Sequence, residues 1–278
     1  MNNSIFKLFF YSSLIAVFIF LLTNNGLKAQ PNDYYKPRAL ITPGHYDYNQ
    51  FTLTLGYDGG FDINLSYSLP KGIALIAAGN VNPLSHFRFG SVDYTIHKND
   101  LSGMAGLGYY KNRKYKYFNV FEIYTGANIS MVDNFVRWET STLESNDRIT
   151  KALYNTYFLQ IQTNTIKEKY GFTLATRISM NHYRDFEYYL RSKTTTNVLS
   201  GSFNLFAAEP ALGVFIPIRN FKANVQLGVS IPVYTQEAQM VETIVASNVI
   251  KNNVENYGEF YFFWRLSLYY IKSKHKIR

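Results

Sequence analysis

The chain has 278 residues and a formal net charge of +9, with 17% charged residues and 17% aromatic ones, chiefly 24 Tyr and 22 Phe. It contains no cysteine, which excludes disulfides, thiolate-bound metals and a lipoprotein anchor on an N-terminal cysteine. The length fits one large all-β domain or two small ones.

Lys7 gives a short basic n-region, residues 8–22 form an apolar core, and Leu27-Lys28-Ala29 is a cleavage site with Ala at −1 and a tolerable Leu at −3. This predicts a signal peptide over 1–29, cleaved during export. The apolar core is shorter than the ~20 residues a spanning helix needs. No later run is apolar and long enough to be one. A mature membrane protein without such helices must be a closed barrel, because lipid cannot satisfy open backbone groups.

Residues 30–50 form a polar lead-in carrying Pro31, Pro37 and Pro43, expected to be irregular and periplasmic. Strand patterning starts at residue 51. In Phe61-Asp62-Ile63-Asn64-Leu65-Ser66-Tyr67-Ser68-Leu69 apolar and polar residues alternate strictly, which in a strand separates an oily face from a wet one. Similar segments predict ten strands, at 51–57, 61–69, 72–79, 101–110, 117–130, 154–164, 171–184, 203–217, 221–233 and 257–271. Residues 87–97 read as an extra strand or an outward extension. Asp58-Gly59-Gly60 and Pro70-Lys71-Gly72 are tight turns. From there, long links (80–100, 131–153, 185–202, 234–256) alternate with short ones (111–116, 165–170, 218–220). Outer-membrane barrels have such short periplasmic turns and long outer loops. The predicted fold is all-β: a closed antiparallel transmembrane β-barrel over 51–271, of about ten strands (about eight to twelve) with a side-chain-filled lumen. A basic tail, 272–278, follows.

The short-link end is basic, with Lys111, Arg113, Lys114 and Lys116 in one link and Lys272, Lys274, Lys276 and Arg278 at the terminus. Anionic headgroups of the inner leaflet attract such a rim. Export and membrane burial explain the charge better than nucleic-acid binding. Tyr109, Tyr117, Tyr170, Phe172, Phe215, Phe221 and Tyr270 are expected to form a lower aromatic girdle, and Trp138 an outer interfacial anchor.

With the apolar faces in lipid, Asp62, Asn64, Glu122, Gln160, Gln162, Arg177, Glu209, Gln226 and Arg265 point inward. Buried charges need partners, so Glu122, Arg177, Glu209 and Arg265 are expected to form a cross-strand charge network. Met104, Phe118, Tyr124, Phe158, Tyr183, Phe263 and Tyr269 phase inward too. Gly103, Gly106 and Gly108 are read as making room for them. Glu209-Pro210 implies a bulge or a local break, since proline gives no ladder hydrogen bond.

Catalytic signals are weak. None of the five histidines lies in H-E-x-x-H, and there is no G-x-S-x-G elbow. The candidate rim site is His182 with Asp185, and His86 beside Ser85. No metal or cofactor is expected.

The chain resembles the small outer-membrane β-barrel proteins of Bacteroidota and other Gram-negative bacteria. The resemblance rests on Leu27-Lys28-Ala29-Gln30, the first-hairpin run 59–69, Gly106-Leu107-Gly108-Tyr109-Tyr110, Glu209-Pro210-Ala211 and the aromatic last strand. It departs where a basic tail follows Tyr270. Many such barrels end on an aromatic that the assembly machinery reads. The resemblance implies outer-membrane lipids and that machinery as partners, with a periplasmic or surface protein as a further one. The expected role is structural, binding or docking through the outer loops. The alternatives are a narrow channel for small or apolar solutes and a rim lipid hydrolase or acyltransferase.

Overall fold

Strict alternation of side chains leaves each strand with one face that water rejects and one that lipid rejects, and closing the sheet on itself satisfies both. The computed structural model describes residues 38–58, 60–82, 93–112, 118–139, 145–166, 170–191, 196–218, 221–235, 241–244, 249–251 and 261–273. The expected signal peptide and the tail after Ser273 lie outside them. Thirteen strands are present among the described residues: β1 (Phe51–Tyr57), β2 (Phe61–Ser68), β3 (Ile73–Asn82), β4 (Asp93–Lys98), β5 (Asp100–Asn112), β6 (Val120–Glu139), β7 (Ser145–Ile166), β8 (Gly171–Arg191), β9 (Thr196–Ile218), β10 (Phe221–Thr235), β11 (Val241–Ile244), β12 (Val249–Lys251) and β13 (Tyr261–Lys272).

Ten of them form the wall. The order runs β1-β2-β3-β5-β6-β7-β8-β9-β10-β13, and β13 pairs back onto β1 with Phe51 opposite Lys272. Every pairing is antiparallel. Closure removes the open sheet edges that lipid could not satisfy.

The exterior is apolar and the interior polar. On β2, Phe61, Ile63, Leu65 and Tyr67 are exposed while Asn64, Ser66 and Ser68 are buried. On β13 the outward row Phe262, Trp264, Leu266, Leu268 and Tyr270 covers about 9 residues, one tilted membrane crossing. Exposed charges bracket this band, with Lys111 and Lys272 at the short-turn end and Asp133, Lys151 and Arg184 at the long-loop end. Among the described residues no helix is long and apolar enough to cross a membrane.

Aromatics mark both borders. Tyr57 lies 5.6 Å from Phe61 and 5.9 Å from Trp264 at the long-loop border. At the other border Phe221 lies 5.9 Å from Tyr270 and Tyr170 lies 5.5 Å from Phe172. Phe215 corrects the expected girdle: it turns inward, is buried, and packs edge-on against Tyr269 at 5.1 Å. Tyr117 lies outside the described residues.

The strands from β6 to β9 run 20 to 23 residues, well past the lipid band. They extend beyond the predicted ends at 130 and 184 and begin before the predicted starts at 154 and 203. Above the lipid the outward positions carry charge, as at Asp133, Lys151 and Asp185, while Val132, Ala152 and Phe186 are buried inside, so the apolar-outward alternation that reveals a lipid-facing strand disappears. β4 adds to β6, β11 to β9 and β12 to β11 in this outer region. β4 covers 93–97 of the ambiguous stretch 87–97, whose remainder lies outside the described residues.

Pro210 breaks the ladder without shifting it. Gly228 pairs with Ala211 and Ile231 with Ala208 in one register, with the two pairs between them missing. The bulges fall elsewhere, at Pro232/Tyr234 and at Tyr183/Phe186. In the turn at Pro70–Gly72, Lys71 (φ 64°) and Gly72 (φ 81°) both take left-handed backbone.

Candidate functional site

The lumen is occupied by the chain's own residues 38–50. The segment is irregular, as expected, but it enters the barrel instead of lying beneath it. Leu40, Thr42, His45 and Gln50 are completely buried there. Traced back from β1, the chain turns at the exposed Tyr48 at the short-turn mouth and then runs up inside. It reaches Arg38, whose guanidinium lies 4.0 Å from Asp58 in the β1–β2 turn at the far end of those strands.

The mouth is sealed by hydrogen bonds to Asp47. Ser68 Oγ and Tyr110 OH donate to its carbonyl at 2.6 and 3.2 Å, and Ser273 Oγ donates to its carboxylate at 2.6 Å. Asn112 donates to the Tyr46 carbonyl at 2.5 Å.

Higher up, wall side chains from four strands hold main-chain groups of the segment. Gln226 of β10 makes a two-point contact with Leu40, accepting from its N–H at 2.9 Å and donating to its C=O at 3.3 Å. Gln160 of β7 donates to the Ile41 carbonyl at 2.6 Å. Arg177 of β8 donates to the Arg38 carbonyl at 2.7 Å. Glu122 of β6 accepts from the His45 N–H at 2.9 Å. An irregular strand in a lumen has no ladder, so side chains must satisfy its backbone.

Consecutive apolar side chains go to opposite walls. Leu40 packs with Ala175, Ala211 and Phe263, and Ile41 with Ala74, Ile76, Tyr110, Tyr124 and Phe158. Gly108 opens space for this second cluster, since a Cβ there would run into the Tyr124 ring. Gly103 does not behave as expected. It faces out, and a Cβ would meet nothing within 4 Å.

Glu122 is fully buried and receives only donors. Besides the His45 N–H, its Oε1 accepts from His45 Nδ1 at 2.9 Å and Tyr124 OH at 2.8 Å. Its Oε2 accepts from Gln162 and, at 2.6 Å, from Asn164. Five donors on one carboxyl fit its ionised form.

The four interior charges do not meet in one network. Arg177 and Glu209 form a pair at 2.5 Å between register partners on β8 and β9. Arg265 instead makes a two-point contact with Asp62, and Asn64 supports Asp62 at 3.1 Å. Glu122 is joined to His45. Arg177 and Arg265 each pair across the wall and Glu122 pairs with the segment. Arg38, Asp58, Asp62, Arg177, Glu209 and Arg265 line a partly open cavity over the inner end of the segment. Tyr154 also lines it and begins a ring stack with Tyr183 (4.6 Å) and then Phe203 (4.2 Å).

At the long-loop border, His182 Nδ1 lies 2.7 Å from Asn204 Oδ1 on β9. A carboxamide is neither a nucleophile nor a base, so this pair gives no support to hydrolysis. Asp185 is exposed at the β8 bulge, and His86 lies outside the described residues. Among the described residues no three His, Asp or Glu side chains cluster as a metal site would require.

No protein-family model matches the chain, and no curated protein matches it. Solved structures of similar architecture include a KdgM porin, 12% identical, covering 81% of this chain and 99% of that one at a TM-score of 0.29. A KdgM porin in complex with disordered oligogalacturonate matches at 12% identity over 81% and 99%, with a TM-score of 0.27. OmpT, an outer membrane protein of Vibrio cholerae in its trimer form, matches at 7% identity over 80% and 97%, with a TM-score of 0.15.

The lumen occupants Arg38, Leu40, Ile41 and His45 were not legible as site residues in the sequence. The signal that could have found them is the excess of inward carboxamides, Gln160, Gln162 and Gln226, whose donors and acceptors have no use in a ladder. A second signal is Leu40-Ile41, an aliphatic pair inside a polar lead-in.

Proposed function

We propose that this protein is an outer-membrane barrel, exported by its N-terminal signal and closed by its own segment 38–50, that works as a binding or docking protein on its outer side. The observation that carries this reading is the occupied lumen: wall side chains from four strands hold the segment's main chain. A closed lumen leaves the outer extensions of β6 to β9 and the cavity beneath them as the working surface. The apolar exterior between charged borders supports residence in lipid, and the outer-membrane lipids and assembly machinery are its partners there. A surface protein is the docking partner on that outer side, and a periplasmic protein is a further partner at the short-turn end. The test is a solute-permeability assay in proteoliposomes. Intact protein should admit neither monosaccharides nor amino acids faster than empty vesicles. Permeation by the intact chain would overturn the reading.

One observation favours a gated channel as the second reading. Apart from its chain connection to β1, the segment is held by non-covalent contacts alone, and the wall around it is polar, with Gln160, Gln162, Asn164, Arg177, Asn224 and Gln226 buried. Withdrawing the segment would leave a wettable path.

A further inference from the structure

The grip on residues 38–45 is of an unusual kind. Five of the wall contacts are to main-chain atoms, which any residue carries: the Arg38, Leu40 and Ile41 carbonyls and the Leu40 and His45 N–H groups. Side-chain selection is confined to a few slots. Leu40 and Ile41 enter apolar pockets on opposite walls. Thr42 meets the Tyr269 hydroxyl at 3.2 Å. His45 enters a slot formed by Glu122, Tyr124 and the ring of Tyr110, whose centroid lies 5.5 Å away. Peptide-recognising proteins share this division: main-chain hydrogen bonds supply affinity, and pockets for alternate side chains supply specificity.

The connection between the segment and the wall is slight. It leaves through the turn at Tyr48–Asn49, where Tyr48 is 45% exposed and Asn49 takes left-handed backbone (φ 56°). Nothing about the pockets requires that their occupant be attached there.

We infer that the lumen is a peptide-binding site, able to take from another molecule a segment with an adjacent aliphatic pair and a histidine four residues further on, directly after a residue in left-handed backbone as Gly44 is here (φ 63°). Residues 38–47 are its intramolecular occupant. The inference rests on the occupied lumen described above. It stands apart from the docking reading, because leakage by the intact chain would sink that reading and leave peptide affinity untouched.

The test uses the full chain with a protease recognition sequence inserted at Tyr48–Asn49, so that folding precedes cleavage. After cutting, the released segment is washed out in detergent and a fluorescent synthetic peptide of residues 38–47 is titrated in. Saturable binding at one site per barrel is expected. Methylating the Leu40 or the His45 amide nitrogen of the peptide should weaken binding about tenfold each, the equivalent of one lost hydrogen bond. Leu40→Met or Ile41→Val in the peptide should change it little, and a scrambled peptide should not bind. A barrel expressed without residues 30–46 should give the same ranking. Failure of the peptide to bind the cut barrel, or equal binding by the methylated and scrambled forms, would overturn the proposal.

Discussion

His45 Nδ1 lies 2.9 Å from Glu122 Oε1, which ties a histidine from outside the barrel wall to a fully buried carboxylate on β6. Alone, Glu122 would be an uncompensated charge inside a lipid-embedded cylinder. With His45, Tyr124, Gln162 and Asn164 around it, it becomes the point at which the segment and the wall specify each other.

The Glu122→Gln substitution keeps the shape and loses the charge. Its new NH2 group must face the donors of Gln162 and Asn164 or of His45 and Tyr124. Such a clash of donors costs about 1–3 kcal/mol. The urea midpoint, followed by the shift of the folded band on an unheated gel, should fall accordingly. An unchanged midpoint would remove Glu122 from the account.

Arg177 and Glu209 predict a non-additive pair. Either Arg177→Met or Glu209→Met alone leaves a buried charge without its ion-pair partner, at about 3–5 kcal/mol. Arg177→Met with Glu209→Met should be milder than the sum of the single changes, because neither charge is left behind. Arg177→Met still loses the bond to the Arg38 carbonyl. Equilibrium unfolding of the four proteins in the cycle measures the coupling, and simple additivity would mean that the two side chains do not interact.

Two glycines of β5 separate crowding from backbone preference. Gly108→Ala should displace the Tyr124 ring from His45 and cost about 1–3 kcal/mol. Gly103→Ala, facing open space, should be neutral. Thermal midpoints compared side by side decide this, and equal losses would refute the packing argument.

Leu227 is 61% exposed in the middle of the outward band. If lipid surrounds it, Leu227→Arg should cost about 2–4 kcal/mol of folding in vesicles. Were the exterior wetted by water, the same change would be harmless. Folding yield into liposomes distinguishes the two.

How legible the molecule was depends on what each residue faces. Phe61 to Leu69 could be read because lipid and lumen impose opposite demands on alternate positions. The pairing of Arg177 with Glu209 was foreseeable from their shared inward phase. Arg265 was expected in the same network and went to Asp62, a choice that depends on strand order and register and not on local pattern. The segment 38–50 carries no period at all. Its fit is set by single contacts from strands distant in the sequence, such as Leu40 with Gln226, so its entry into the lumen was invisible. The outer parts of β6 to β9 were missed because their outward positions leave the lipid and turn polar, as at Asp133 and Lys151, so the apolar-outward alternation is lost there.

The central claim is that residues 38–50 close the lumen. Paired single-channel recordings in planar bilayers test it most directly, with the intact chain against a chain lacking residues 30–46, each first shown to be folded by its heat-modifiable band. The account predicts silence from the intact protein and stable, salt-scaled current steps from the shortened one. Steps of equal size from both proteins would contradict it.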